Sequence, residues 1–240
     1  MTISDLILET GMAARASGIL VEQAGEVGLL HHQGFTAPGI GLSWESAKAV
    51  QLISLGRTAL RVTERHRGQL VTATGTWDGA ALRDPVFSSW SPGRPDEHHV
   101  PPHGGRPVVS RAQLTAQAAV RKSGALLSLE SFQQRDGTHR FVAVARDEEA
   151  VAAALGPVYD GALTVVPTRW TRAELDEASQ SLLSAAEGLV LWFGEWQNEH
   201  HELVFRATVK YVTEEIATAF NRAPRGAVEL LAFIQPQLTA

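Results

Sequence analysis

Two segments in the C-terminal half repeat one pattern: DEEAVAAALGPVYDGALTVV over residues 147–166 and TEEIATAFNRAPRGAVELL over residues 213–231. Each begins with a residue suited to cap a helix and continues with carboxylates, which favour the positive end of the helix dipole. Each ends with glycine, alanine and a short apolar run, which is typical of a buried strand. Apolar runs at 141–144 and 203–211 precede them, so the pattern predicts a duplicated βαβ unit with an additional helix between the copies.

This repeat indicates an α+β protein whose C-terminal domain is a ferredoxin-like or duplicated βαβ sandwich. The helix between the copies begins with a capping box, Thr171 and Glu174, in which each side chain accepts a free backbone N–H. The apolar run 188–193 predicts a strand covered on both faces, and the alternation over 203–211 predicts a half-buried strand. The alternative is that two independent βαβ segments share the same cap and turn chemistry.

The N-terminal region, residues 1–108, reads as a mixture of helices and a β-hairpin. A helix is predicted to begin at Ser4, and the β-rich runs within 58–74 predict the hairpin. Residues 84–107 contain six of the eleven prolines, which predicts a long irregular loop. We therefore place a domain boundary there, before a βα-repeat domain over 109–240.

The composition excludes several classes of protein. The 240 residues carry a formal net charge of −5 and no cysteine. Absence of cysteine excludes disulfides, thiolate metal sites and cysteine nucleophiles, and the acidic balance argues against nucleic acid or an anionic membrane as partner. No apolar run approaches the roughly 18 residues that a membrane helix needs, and the N-terminus lacks the basic start of a signal peptide. We expect a cytoplasmic protein, and the frequent alanine, arginine and glycine suggest a bacterium with a GC-rich genome.

Histidines cluster in two polar segments. His98, His99 and His103 lie in the proline-rich loop, and His200 and His201 lie between two predicted strands among acidic residues. Imidazole and carboxylate groups are common ligands of divalent metals, so a divalent metal is the one cofactor that these residues would support. Their spacing matches no standard metal signature, and the alternative is that they are ordinary solvated histidines.

Tryptophans and arginines supply the candidate interface. Trp90 and Trp196 lie in polar surroundings, where an exposed indole often anchors a partner, although both rings could instead cover the core. Trp192, within the apolar run, is predicted to be a core residue. Positive charge concentrates in the first hairpin, at Arg61, Arg65 and Arg67. These arginines would meet an acidic partner or simply protect a sheet edge from aggregation.

Two hypotheses about function stay open, because the chain has no nucleophile elbow, phosphate-binding loop or dinucleotide fingerprint. The first is a non-enzymatic protein-interaction module, such as an adaptor, inhibitor, immunity-type protein or assembly factor. It would hold a protein partner through Trp90 and Trp196, and homo-oligomers would form through a sheet edge. The second is a metal- or histidine-dependent enzyme, or a small-ligand-binding protein, with a cleft between the two regions. Nucleic-acid binding by the arginine hairpin is the weakest reading.

Overall fold

The computed structural model describes residues 2–23, 26–31, 52–55, 68–91, 108–134, 136–198 and 202–237. Within these ranges the chain forms three sheets, four α-helices and one short 3-10 helix, so the predicted α+β class is confirmed. None of the helices in the described ranges is long and apolar enough to cross a membrane.

The N-terminal region forms an antiparallel sheet with the strand order β3-β2-β1-β4-β5. After the 3-10 helix Ile3–Leu6, its strands are β1 Ala13–Gln23, β2 Glu26–Leu30, β3 Leu52–Ser54, β4 Leu70–Trp77 and β5 Leu82–Ser89. Strand β4 confirms the second strand of the predicted hairpin, but its partners on its two sides are β1 and β5. The first half, residues 58–67, lies outside the described residues.

The predicted N-terminal helix is wrong, and the loop over 84–107 begins later than expected. The 3-10 helix ends at Leu6, and the chain from Ala13 is a strand in which Ala14, Ala16 and Leu20 are buried at a spacing of two or four. Residues two and four positions apart lie on one face of a strand, whereas residues two positions apart lie on different sides of a helix. Strand β5 continues to Ser89 and contains a proline, as edge strands tolerate.

The rest of the chain contains one order of elements twice. The first copy comprises α1 Arg111–Lys122, β6 Leu126–Gln133, β7 His139–Ala145, α2 Glu148–Tyr159 and β8 Leu163–Pro167. The second comprises α3 Arg172–Ala185, β9 Val190–Gln197, β10 Leu203–Val209, α4 Glu214–Arg222 and β11 Val228–Ala232. In each copy an antiparallel hairpin is followed by a helix and a third strand parallel to the middle one.

The two copies share even their strand registers. Phe141 pairs with Ser131 on β6, and the corresponding Phe205 pairs with Glu195 on β9. Both hairpins carry a bulge at the same place. Leu127 in the first copy and Leu191 in the second have no partner in the regular strand pairing. A ferredoxin-like sandwich is not confirmed, because each copy has its own three-stranded sheet and begins with a helix before its hairpin.

Helices cover one face of each three-stranded sheet, and the opposite faces contribute to a shared cluster between the copies. That cluster contains Leu127, Val144, Trp170, Leu175, Leu203, Val204 and Ala227. The stability of this cluster depends on close packing of apolar side chains from both copies.

The last strand returns to the N-terminal sheet. Strand β12, Ile234–Pro236, pairs with residues 14–16 of β1, and β2 pairs with residues 19–23 along the same side of β1. Leu191, Phe233 and Ile234 lie in one core cluster with residues of β1, β2 and β4. The division of the chain at residue 108 stays a prediction.

Candidate functional site

A groove opens where β12 and β2 separate along β1. His31 directly follows β2 and Phe233 directly precedes β12, and their rings meet edge to face with centroids 4.9 Å apart. Gly18 occupies β1 at this junction. A Cβ there would overlap the carbonyl oxygen of Leu30 and lie 3.2 Å from the Phe233 ring, so the junction requires glycine.

The groove has a volume of about 440 Å³, within the range of small-ligand sites. The N-terminal sheet and the second copy both contribute to its walls. Among the described residues the lining includes Arg15, Ser17, His31, Thr72, Trp90, Thr208, Leu231, Phe233 and Gln235. The groove therefore lies between residues of the N-terminal region and residues of the second copy.

Among the described residues, the hydrogen bonds in the groove leave the charge of Arg15 unneutralised and the buried hydroxyl of Thr208 unpaired. The Ser17 and Thr72 hydroxyls pair with each other at 2.7 Å. Arg15 Nη2 donates to Gln235 Oε1 at 3.3 Å, and no carboxylate of the described chain pairs with Arg15. Thr208 is only 2% exposed, and its Oγ1 has no hydrogen-bond partner among the described residues.

A second surface lies along β9, the edge strand beside β10. Trp192 is 38% exposed and Phe193 55%, on opposite faces of the sheet. Leu231, 44% exposed, shares a cross-strand row with Trp192 and the buried Thr208 between them. The predictions that residues 188–193 are covered on both faces and that Trp192 is a core residue are therefore wrong.

The outer edge of β9 presents backbone groups as well as rings. The Asn198 N–H donates to the Glu202 carbonyl at 3.0 Å, which fixes the alternation of the hairpin ladder. Along β9, Trp192 and every second residue then direct their backbone groups to β10, and Phe193 and Glu195 direct theirs outward. None of the strands described here pairs with that outer edge.

Trp196 and Trp90 differ in their surroundings. Trp196 is half-buried against the shared cluster, and the Arg206 guanidinium lies 4.5 Å from its ring centroid. Arg206 also makes two hydrogen bonds to Glu229, at 2.5 and 2.7 Å. Trp90 is half-buried in the wall of the groove. Trp196 packs on the shared cluster and Trp90 lines the groove, and their role in an interface stays a prediction.

A second groove, of about 460 Å³, lies beside the bulge of β6. Arg172, at the start of α3, forms an ion pair with Glu195 and donates to the Leu127 carbonyl at 3.1 Å. The bond to Glu195 raises the pKa of the Arg172 guanidinium, which therefore stays charged. The Arg172–Glu195 ion pair lies within the second copy and neutralises both of its charges locally, and the bond from Arg172 to the Leu127 carbonyl links the two copies.

The remaining predicted site residues fall outside the described ranges. They are Arg61, Arg65, Arg67, His98, His99, His103, His200 and His201. Among the residues that the structure does describe, no group of three or more histidine, aspartate or glutamate side chains is arranged to hold a metal. The metal site and the arginine hairpin stay predictions.

Sequence reasoning missed the residues that define both surfaces. Thr208 could have been found from the repeat, because the corresponding residue of the first copy is the apolar Val144. Arg15 and Phe193 gave none, because their neighbours come from distant parts of the chain. No protein-family model matches the chain, and a search of curated proteins found no significant match.

Proposed function

We propose that the protein is a non-enzymatic interaction module that binds an extended, apolar segment of a protein partner along the outer edge of β9. The observation that carries the proposal is the pair of exposed rings, Trp192 and Phe193, on an edge strand. Edge strands with exposed apolar residues are the usual sites of strand addition and aggregation, and folded proteins normally protect them with charge.

The chemistry of this edge specifies its occupant. The outward N–H and C=O groups of Phe193 and Glu195 require a second backbone in an extended conformation. The adjoining charges are already neutralised, because Glu195 is paired with Arg172, and Arg206 with Glu229. An uncharged segment with apolar side chains over Trp192 and Phe193 would cover the rings without leaving a charge buried and unpaired.

A second copy of the chain fits this edge less well. Antiparallel self-pairing centred on Phe193 would place each Glu195 opposite Leu191 of the other copy. Leu191 lies in the bulge and is itself buried in the core that joins the N-terminal sheet, so it cannot extend a regular ladder. A regular strand from another protein avoids this mismatch.

The test selects linear peptides from a phage-displayed library on the full-length protein and measures binding of synthetic versions by titration calorimetry. We expect enrichment of uncharged sequences rich in β-branched and aromatic residues. Phe193→Pro removes one outward N–H and one ring but no hydrogen bond to β10. It should weaken peptide binding at least tenfold, about 1.4 kcal/mol.

Two controls separate this result from loss of structure. Val86, 69% exposed on the edge strand β5, provides a matched apolar edge position, and Val86→Ser should leave peptide affinity unchanged. Amide resonances of Phe193 and Glu195 should move on titration. The proposal is wrong if no peptide sequence is enriched, or if the selected peptides bind the Phe193→Pro variant as tightly as the parent. If the parent instead dimerises with increasing concentration and the Phe193→Pro variant does not, the occupant of the edge is a second copy of the chain.

Three further predictions from the sequence are part of this proposal. A bacterial cytoplasm, a heterologous protein partner and a ferredoxin-like relationship of the repeats are all compatible with it. The metal- or histidine-dependent alternative rests on histidines that lie outside the described residues.

A further inference from the structure

The two copies of the repeat differ at one buried position that faces the groove. Val144 in the first copy and Thr208 in the second hold the same place in the ladder: each lies on the middle strand, directly before the bulge. Val144 is fully buried in the shared cluster, and Thr208 is 2% exposed in the groove. Valine and threonine side chains have nearly the same shape. Thr208 therefore carries a hydroxyl group where a methyl group would fill the same space.

That hydroxyl is unfavourable for folding alone. Its Oγ1 is buried without a hydrogen-bond partner among the described residues, and an unsatisfied buried polar group destabilises a protein. Groups of this kind are few in native structures and each calls for an explanation, of which a binding role is one. Thr208 therefore points to a ligand that hydrogen-bonds in the groove.

The charge in the groove specifies one end of the ligand. Arg15 is the one charged side chain of the described lining, and its partner is the neutral amide of Gln235. Gln235 is itself held by its Nε2, which donates to the Ala232 carbonyl at 3.0 Å. A guanidinium presented in this way is suited to a carboxylate, which accepts two parallel hydrogen bonds.

The apolar walls specify the body of the ligand. Trp90 comes from the end of β5, and Phe233 and Leu231 come from the second copy. Aromatic and aliphatic walls favour a flat apolar group, which stacks on the rings or meets them edge on.

We propose that the groove binds a small aryl carboxylic acid, with its carboxylate on Arg15, its ring between Trp90 and Phe233, and a polar substituent near Thr208. This site is separate from the outer edge of β9 and does not depend on the interaction proposed there.

The test uses the full-length protein and two probes, 4-hydroxyphenylacetate and its uncharged amide, 4-hydroxyphenylacetamide. Titration calorimetry should show saturable binding of the carboxylate, with the amide at least tenfold weaker. Arg15→Gln should reduce carboxylate affinity about tenfold and leave amide affinity nearly unchanged. Arg140→Gln, which changes an exposed arginine on β7 away from the groove, is the matched control and should alter neither affinity.

Thr208→Val supplies a second, independent readout, and the first copy shows that valine fits this position. Without ligand, its Tm should rise by roughly 2–6 °C, because an unsatisfied buried hydroxyl is removed. Its affinity for 4-hydroxyphenylacetate should fall several-fold. The proposal is overturned if the carboxylate does not bind saturably, if Arg15→Gln leaves its affinity unchanged, or if Thr208→Val lowers the Tm.

Discussion

At the scale of single residues, Asp78 shows how one carboxylate organises a turn. Its Oδ1 accepts hydrogen bonds from the backbone N–H groups of Ala80, at 2.9 Å, and Ala81, at 2.7 Å. Its Oδ2 accepts from Arg83 Nε. The bonds from Ala80, Ala81 and Arg83, in that order, lower the pKa of the Asp78 carboxyl. The ionised form therefore holds the turn between β4 and β5.

We expect Asp78→Ala to lower the urea midpoint of unfolding at pH 7 and to have a smaller effect in acid. The folded pKa lies below the unfolded pKa, so the stabilisation is fully present above the unfolded value and is lost as the pH falls through the folded one. Urea titrations at neutral pH and at successively lower pH measure the difference between variant and parent. Glu177→Ala, an exposed carboxylate on α3, is the control, and a difference for Asp78→Ala that does not shrink in acid would contradict this assignment.

Gly18 carries a second residue-scale prediction. Gly18→Ala should destabilise the protein by about 1–3 kcal/mol, because the new Cβ would meet a backbone oxygen that cannot move without disturbing the sheet. Gly194→Ala is the matched strand control. There a Cβ would approach only the ring of Trp192, at 3.3 Å, and a partly exposed ring can shift. Denaturant unfolding of both variants measures the difference, and equal losses would count against the tight junction.

At the scale of elements, the helix starts in the C-terminal half were predictable, whereas the N-terminal helix and the burial of strands were not. Each of the four α-helices has an N-cap that accepts the backbone N–H three residues on, and these caps are Ser110, Asp147, Thr171 and Thr213. The last three were predicted from the sequence. That chemistry is local. Burial of a strand depends instead on its partners. The alternating β10 was predicted to be half-buried, but it is the central strand and is buried on both faces apart from Arg206. The apolar β9 is the exposed edge.

The same contrast explains the candidate site. A groove lies between residues of the two regions, with Trp90 in its wall, and a ligand cleft there stays a prediction. Its other determinants come from pairings between residues more than 200 positions apart, such as Arg15 with Gln235. No local pattern encodes such a register, because β12 could be placed beside β1 only once the whole fold was known.

The capping box of α3 gives the element-scale prediction. Thr171→Ala should lower the free energy of unfolding by about 1 kcal/mol, because it removes the acceptor for the Glu174 N–H. Thr171→Ser keeps that oxygen and should stay within a few tenths of a kcal/mol of the parent. Urea unfolding followed by far-ultraviolet circular dichroism compares the two variants. Equal stability of the alanine and serine variants would show that the cap contributes nothing here.

At the scale of the whole molecule, the return of the chain to its first sheet determines how the protein unfolds. Ile234 is 1% exposed and lies in one core cluster with residues of the N-terminal sheet and Leu191 of the second copy. Trp77 of β4 and Tyr211, after β10, have ring centroids 5.2 Å apart within the same region. The N-terminal sheet and the second copy thus share a core, which couples their stabilities.

We therefore expect the N-terminal sheet and the second copy to unfold in one transition, and Ile234→Ala to destabilise both together by about 2–5 kcal/mol, the cost of a cavity in a packed core. Native-state hydrogen exchange measures this directly, because amides of β4 and of α4 report on the two parts separately. Val108→Ala, at an almost fully exposed position, is the control and should leave both unchanged. Faster exchange in β4 with no change in α4 would mean that the N-terminal sheet unfolds independently, and the boundary predicted at residue 108 would then separate two thermodynamic domains.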